Sequence, residues 1–194
     1  MFEEARSFTL QVSARRCTSE EARSFTLAFP PVRDIILRPM LTIIQAQSDE
    51  RIAEVKMLFR EYEAWLGLDL CFQGFEAELA ALPGKYALPK RSLLLAYSDE
   101  NLAGCIAMRG LDETTCEMKR LFVRDGFRGQ KVGLHLIERL IDDDRAAGYK
   151  HMLLDTYPLR MGKAVELYRS HGFHEIPPYY ANPYDGVLFM ELVL

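Results

Sequence analysis

Apolar residues change their spacing several times along this chain, and each change marks an element. Leu41 to Ala46 is a short apolar run that reads as a strand. Ser48 then stands where a helix cap belongs, with Asp49 and Glu50 in the first turn, and Ile52, Val55, Phe59, Tyr62 and Leu66 recur at helical spacing up to Gly67. A shorter helix is predicted over Phe75 to Leu82. After a loop from Pro83 to Pro89, the runs Ser92 to Tyr97 and Leu102 to Arg109 flank Ser98, Asp99, Glu100 and Asn101, which predicts a hairpin. Thr114 to Val123 reads as the next strand, with Met118, Arg120 and Phe122 on one face and Glu117, Lys119, Leu121 and Val123 on the other. Val132, Leu136, Ile137, Leu140 and Ile141 return to helical spacing and stop near Gly148. His151 to Thr156 is a fifth strand, Met161 to His171 a further helix, and Phe173 to Tyr180 and Val187 to Leu194 are two last strands around a Pro- and Tyr-rich loop. The order βααβββαβαββ predicts a mixed α/β domain over residues 40–194.

Residues 1–39 follow a different pattern. EEARSFTL occurs at Glu3 to Leu10 and again at Glu20 to Leu27, two copies that are too few and too short to stack as a repeat protein. No sustained period follows, and Pro30, Pro31 and Pro39 disfavour regular structure. This segment is expected to be an N-terminal extension outside the domain, with Met40 as the natural start. The competing reading is an arm that packs on the domain or on a partner.

At 194 residues and 49% hydrophobic content, the chain can bury one sizeable core. Its net charge of −4 argues against general nucleic-acid binding, which requires a basic surface. No apolar run reaches membrane-spanning length, and Glu3 and Glu4 do not suit a signal peptide, so a cytoplasmic location is expected. Cys17, Cys71, Cys105 and Cys116 contain no CxxC pair and read as reduced thiols, with Cys105 and Cys116 close on neighbouring strands. His171 and His174 form HxxH, but Gly172 breaks the helical register that a metal pair would use. No metal is expected.

Between the fourth strand and the third helix lies RGQKVG, Arg128 to Gly133. A strand that feeds a helix N-terminus presents unpaired N–H groups and partial positive charge, which suits a phosphate. GxGxxG is absent, and GxxxxGK[ST] fails at Leu134 and His135. The segment resembles motif A of the GNAT superfamily of acyl-CoA-dependent N-acyltransferases, with Arg128 and Gly133 at its ends. Lys131 stands where that family usually has Gly, and Asp125 where Pro is common. AVELYRSHGF, Ala164 to Phe173, resembles motif B, with Met161 where an Asn is frequent. The resemblance spans Leu41 to Leu194. It implies the GNAT fold, a seven-stranded and mostly antiparallel sheet splayed between strands four and five, with about four helices. It further implies acetyl transfer from acetyl-CoA to a primary amine by direct attack in a ternary complex, the alternative being a non-catalytic acyl-CoA-binding regulatory module.

Acyl transfer needs a neutral amine, a polarised carbonyl and a departing thiolate. An alkylamine with a pKa near 10.4 needs a base or water relay at neutral pH. Glu117, eleven residues before Arg128, matches the spacing of the family's general base; the other reading is a strand-face carboxylate paired with Lys119 or Arg120. The resemblance makes Tyr168 the acid for the thiolate, against a core tyrosine packed by Leu167 and Phe173. It puts pantetheine and carbonyl contacts on the backbone of Leu121, Phe122 and Val123, beside a bulge that splays this strand. Arg128, Gly129, Gln130, Lys131, Val132 and Gly133 are expected to hold the pyrophosphate. Lys131 is expected in a first-turn helical conformation without positive φ, where its ammonium adds affinity or its Cβ crowds the phosphate. Cys116 faces away from Glu117, so a covalent acyl-cysteine route is disfavoured. Trp65, Phe72, Tyr179, Tyr180 and Asn182 are acceptor-pocket candidates, with core packing the favoured reading of Trp65 and Phe72, and the Tyr-rich loop equally suited to a homodimer contact or to packing on its own domain. The acceptor is a small-molecule or protein amine.

Overall fold

Ser48 does cap the first helix: its hydroxyl accepts from Arg51 N at 3.3 Å. Gly67 ends that helix at φ 67°, ψ 24°, a left-handed conformation that glycine adopts without strain. The computed structural model describes residues 40–194; the expected extension over residues 1–39 lies outside the described residues. The elements are β1 (Leu41–Gln45), α1 (Asp49–Leu66), α2 (Phe75–Ala81), β2 (Ser92–Ser98), β3 (Asn101–Gly110), β4 (Thr115–Val123), α3 (Val132–Ala147), β5 (His151–Thr156), α4 (Pro158–Ser170), β6 (His174–Ile176) and β7 (Leu188–Val193). This is the predicted order. β6 is shorter than predicted, because the chain leaves the sheet at Pro177. α4 begins earlier, with Pro158 in its first turn, where a missing N–H costs nothing.

The sheet has seven strands in the order β1-β2-β3-β4-β5-β7-β6. All neighbours are antiparallel except β4 and β5. Helices cover both faces. Val132, Leu136, Ile137 and Leu140 of α3 and Val165 and Tyr168 of α4 pack with Leu94, Ile106, Met118, Met152 and Leu154 on one face. Val55, Leu58, Phe59 and Tyr62 of α1 and Phe75 and Leu79 of α2 pack with Leu93, Leu95, Cys105, Ala107 and Phe122 on the other. The expected proximity of Cys105 and Cys116 is therefore corrected. They belong to opposite cores, and both are free thiols.

Candidate active site

Parallel pairing between β4 and β5 covers only Thr115, Cys116 and Glu117 against His151, Met152 and Leu153. β4 continues to Val123 and β5 to Thr156, so the strands part and leave a gap inside the sheet. A bulge in β4 accompanies the parting. Cys105 opposes Phe122 and Ala107 opposes Lys119, so Ile106 faces both Arg120 and Leu121, and Arg120 sits at φ 58°. A bulge bends its strand and increases local twist. A Cβ on Gly104 would collide with the Phe122 carbonyl oxygen, so this close approach requires glycine.

The bulge also corrects the predicted alternation of β4. Up to Lys119, odd-numbered residues face α1 and α2. Beyond the extra residue the faces exchange: Arg120 and Phe122 join the α1 side, while Leu121 and Val123 pack toward α3. Glu117, Lys119, Arg120 and Phe122 therefore share one face. Arg120 is buried and donates to both oxygens of Glu78 on α2 at 3.0 Å and to Gln73 Oε1 at 2.9 Å.

A cleft occupies the gap. Its walls are Met118 to Leu121 of β4, Leu154 to Thr156 of β5, Met161 and Tyr168 of α4, Tyr62 and Leu66 of α1, Phe72 and Gln73 after α1, and Asn182 and Tyr184 of the β6–β7 loop. Tyr168 reaches it from the α3/α4 side, packed on Phe173 with ring centroids 5.7 Å apart. Burial, with Tyr62 and Asp155 nearby, pushes its phenol well above the ordinary range, so the group stays protonated and available to donate.

Glu117 is fully buried and is absent from the cleft wall. Its Oε2 accepts from Arg109 Nε at 2.6 Å, and its Oε1 accepts from the Tyr179 hydroxyl at 2.8 Å and from Lys119 Nζ at 3.4 Å. Of the pairings expected for it, Lys119 is present and Arg120 is not; Arg109, directly opposite on β3, takes that place. Lys119 Nζ also donates to Asp155 Oδ1 at 2.6 Å. This ion pair spans β4 and β5 where their backbone pairing has ended. Burial pushes the Asp155 carboxyl up, but the Lys119 ammonium, together with smaller effects of Tyr180 and Arg120, outweighs it and holds the group below its usual range.

Beyond the end of β4, α3 begins without a side-chain cap from the described residues, which leaves its first-turn N–H groups open to an anion. Lys131 precedes Val132 at φ 64°, ψ 12°. The expected first-turn helical conformation is corrected, since this is the left-handed region that disfavours a Cβ. Gly129 has φ 83°. Arg128 folds inward: Nε donates to Val123 O at 3.0 Å, a terminal nitrogen pairs with Asp125 at 2.6 Å, and the guanidinium lies 4.6 Å from the Trp65 ring centroid. Gln130 Nε2 donates to Gly126 O at 3.0 Å. Val132 is buried against the sheet, and Gly133 lies beside Val123 and Leu167.

Of the acceptor candidates, Trp65 packs on Phe122 and Arg128, outside the cleft wall. Phe72 lines the cleft and meets Tyr184 edge-on. Tyr180 receives hydrogen bonds from Asn182 Nδ2 at 3.1 Å and Gln73 Nε2 at 3.4 Å. The Tyr184 hydroxyl donates to Asp69 O at 3.0 Å and accepts from Asp69 N at 2.8 Å. The Tyr-rich loop thus closes against the α1–α2 connection of its own domain. Met161, in the motif position where Asn is frequent, sits at a kink in α4 and accepts from the Thr156 hydroxyl at 3.6 Å. Among the described residues no group of three or more His, Cys, Asp and Glu is placed to hold a metal, and no helix is long and apolar enough to cross a membrane.

Sequence reasoning passed over Asp155, Arg109 and Gln73, and gave Lys119 no more than a pairing role. One signal was available for Asp155. It ends the apolar run MLLD, and its place in the alternation with Met152 and Leu154 puts it on the face of Glu117.

A family model described as an acetyltransferase (GNAT) domain matches residues 89–175. An uncharacterized N-acetyltransferase of Dictyostelium discoideum is 35% identical, covering 75% of this chain and 95% of its own length. Another from Schizosaccharomyces pombe is 38% identical, covering 78% and 94%. Among solved structures, a GNAT-family acetyltransferase of Staphylococcus aureus superposes with a TM-score of 0.65 at 21% identity, over 78% of this chain and 98% of that one. PaiA N-acetyltransferase of Thermoplasma acidophilum in complex with coenzyme A gives 0.62 at 17%, over 80% and 99%. At such identities these superpositions bear on fold alone.

Proposed function

The chain belongs to the GNAT acetyltransferase family, and from that premise we propose that it moves an acetyl group from acetyl-CoA to a primary amine by direct transfer in a ternary complex. The observation that carries this reading is the gap between β4 and β5 with Tyr168 in its wall. Pantetheine enters that gap as an added strand, using backbone groups of Leu121 to Val123 that β5 does not pair. The open N-terminus of α3, from Gly129 to Gly133, takes the pyrophosphate, and Arg128 leaves Val123 O to add charge. The residues present suit the cofactor: a glycine where backbones touch, an uncapped helix start and a phenol facing the gap.

Tyr168 donates its proton to the departing thiolate, whose conjugate acid has a pKa near 8.5. A backbone N–H near Leu121 to Val123 polarises the thioester carbonyl, an interaction worth about 3 kcal/mol in a dry site. Glu117, fully enclosed by Arg109, Lys119 and Tyr179, contributes to proton handling through Lys119, without direct contact with the amine. The acceptor enters from the side of Phe72, Gln73, Asn182 and Tyr184.

The test is thiol release from acetyl-CoA with a panel of primary amines. Turnover is expected on at least one amine, and Tyr168→Phe should lower kcat by about 100-fold or more with little change in acetyl-CoA affinity. Tight acetyl-CoA binding with neither turnover nor slow hydrolysis would leave a non-catalytic binding module. An unaltered kcat in Tyr168→Phe would assign the acid to water or another group.

A further inference from the structure

The acetyltransferase reading leaves open which group meets the acceptor amine, and the inference drawn here rests on that reading. We propose that Asp155 is the catalytic carboxylate that takes the amine proton, and that Lys119 is the positioning cation that holds it across the gap. Two carboxylates lie together on the α1/α2 face of the divided sheet. Glu117 is completely enclosed, with both oxygens taken by Arg109, Tyr179 and Lys119. Asp155 is part of the cleft wall, and its side chain keeps 13% of its surface exposed. An amine in the cleft can touch Asp155 and cannot touch Glu117.

Position along β5 gives a second reason. Asp155 lies two residues beyond Leu153, the last residue of β5 paired with β4, so it stands over the opening. Met152 and Leu154 turn into the α3/α4 core, and Asp155 therefore faces the opposite side. Tyr168 enters from that core. A thioester in the gap has the phenol on one side and the carboxylate on the other.

Charge supplies a third. Arg109, Glu117, Lys119 and Asp155 sum to zero when Asp155 is ionised. Protonating it leaves this set with an excess positive charge, which favours release of the proton. The other titratable groups facing Asp155 are Arg120 of β4, Tyr62 of α1, Tyr168 of α4, and Tyr179 and Tyr180 of the β6–β7 loop. In the step, the amine nitrogen bonds to the acetyl carbon, the carbon–sulfur bond breaks, an amine proton passes to Asp155 and the Tyr168 proton passes to sulfur. The Asp155 proton then returns to the Tyr168 phenolate. Amine and acetyl-CoA become amide and free thiol with no other reactant.

The experiment follows thiol release by the full chain against pH. Amine-dependent turnover by the wild type is read first; its absence on every amine refutes the acetyltransferase reading and takes this inference with it. Given turnover, Asp155→Asn should lower kcat about 100-fold with acetyl-CoA affinity within about twofold, and Asp155→Glu should recover part of the loss. Lys119→Met should raise the acidic limb of kcat/KM by about one pH unit, because the cation that keeps the carboxylate ionised is gone. If Asp155→Asn does not fold, Asp155→Glu and the Lys119→Met limb still decide. An Asp155→Asn kcat within about twofold of wild type, or an acidic limb that Lys119→Met leaves in place, would overturn the assignment.

Discussion

Replacing Lys131 by glycine should stabilise this protein, although the change removes a whole side chain. Lys131 sits at φ 64°, ψ 12° immediately before α3, where its Cβ crowds the following carbonyl at a cost of about 1–2 kcal/mol. Glycine removes that cost but makes the unfolded chain more flexible, which returns about 0.4–1 kcal/mol. The exposed side chain makes no hydrogen bond or ion pair with the described residues that would be lost. The net gain centres on about 0.8 kcal/mol, or roughly 2–3 °C in Tm for a domain of this size. Thermal unfolding of wild type, Lys131→Gly and Lys131→Ala isolates the cause, because alanine discards the charge and keeps the Cβ. Glycine should raise Tm and alanine should leave it within about 1 °C. Equal Tm values for the two variants would refute the strain argument. The same pair separates the two roles of the residue toward the pyrophosphate. Lower acetyl-CoA affinity in both variants assigns binding to the ammonium, and higher affinity in glycine alone assigns crowding to the Cβ.

Asp144 of α3 is fully buried, and among the described residues Oδ1 has no partner and Oδ2 meets only the Cys116 thiol at 3.4 Å. Burial, with Asp143 adding a smaller effect, raises its pKa to about 7. The folded state therefore keeps a proton that the unfolded chain releases near pH 4, so this group's stability contribution is full below about pH 4 and declines until pH passes about 7. The loss approaches about 4 kcal/mol at about 1.4 kcal/mol per unit. Asp144→Asn should flatten the decline and be the more stable form at pH 8.5 in urea titrations; equal pH slopes for the two proteins would exclude Asp144 as the cause. Trp65 is the chain's single tryptophan, and Arg128 lies on its ring. Acetyl-CoA should draw the guanidinium to the pyrophosphate and change Trp65 emission saturably, a change that Arg128→Ala abolishes. Unchanged emission under calorimetrically proven binding would mean that Arg128 stays in place.

Much of the fold could be read from local pattern. The order of strands and helices, the Ser48 and Gly67 caps of α1, and the core faces of α1 and α3 follow from apolar spacing and cap chemistry, which act within a few residues. The turn at Arg128 to Gly133 and the Tyr168 segment were legible as motifs; the structure puts Tyr168 in the wall of the cleft and sets Arg128 against Val123 O at the end of β4. Glu117 was legible as a carboxylate on the right strand, but its enclosure was not, because the Tyr179 hydroxyl that closes over it comes from 62 residues further along.

The sequence by itself thus determined which residues make strands, which make helices and which chemical groups are at hand. Tertiary structure decided which faces those groups occupy. The bulge at Arg120 is a choice of register between β3 and β4, made possible by the missing Cβ of Gly104, and it moves Leu121 and Val123 to the face opposite Lys119. Pairing across strands fixed Glu117 at the last paired position and Asp155 beyond it, at the opening. Periodicity within one segment carries no record of a partner strand's register, so alternation could give the face of Asp155 while its place at the cleft was decided by strand pairing.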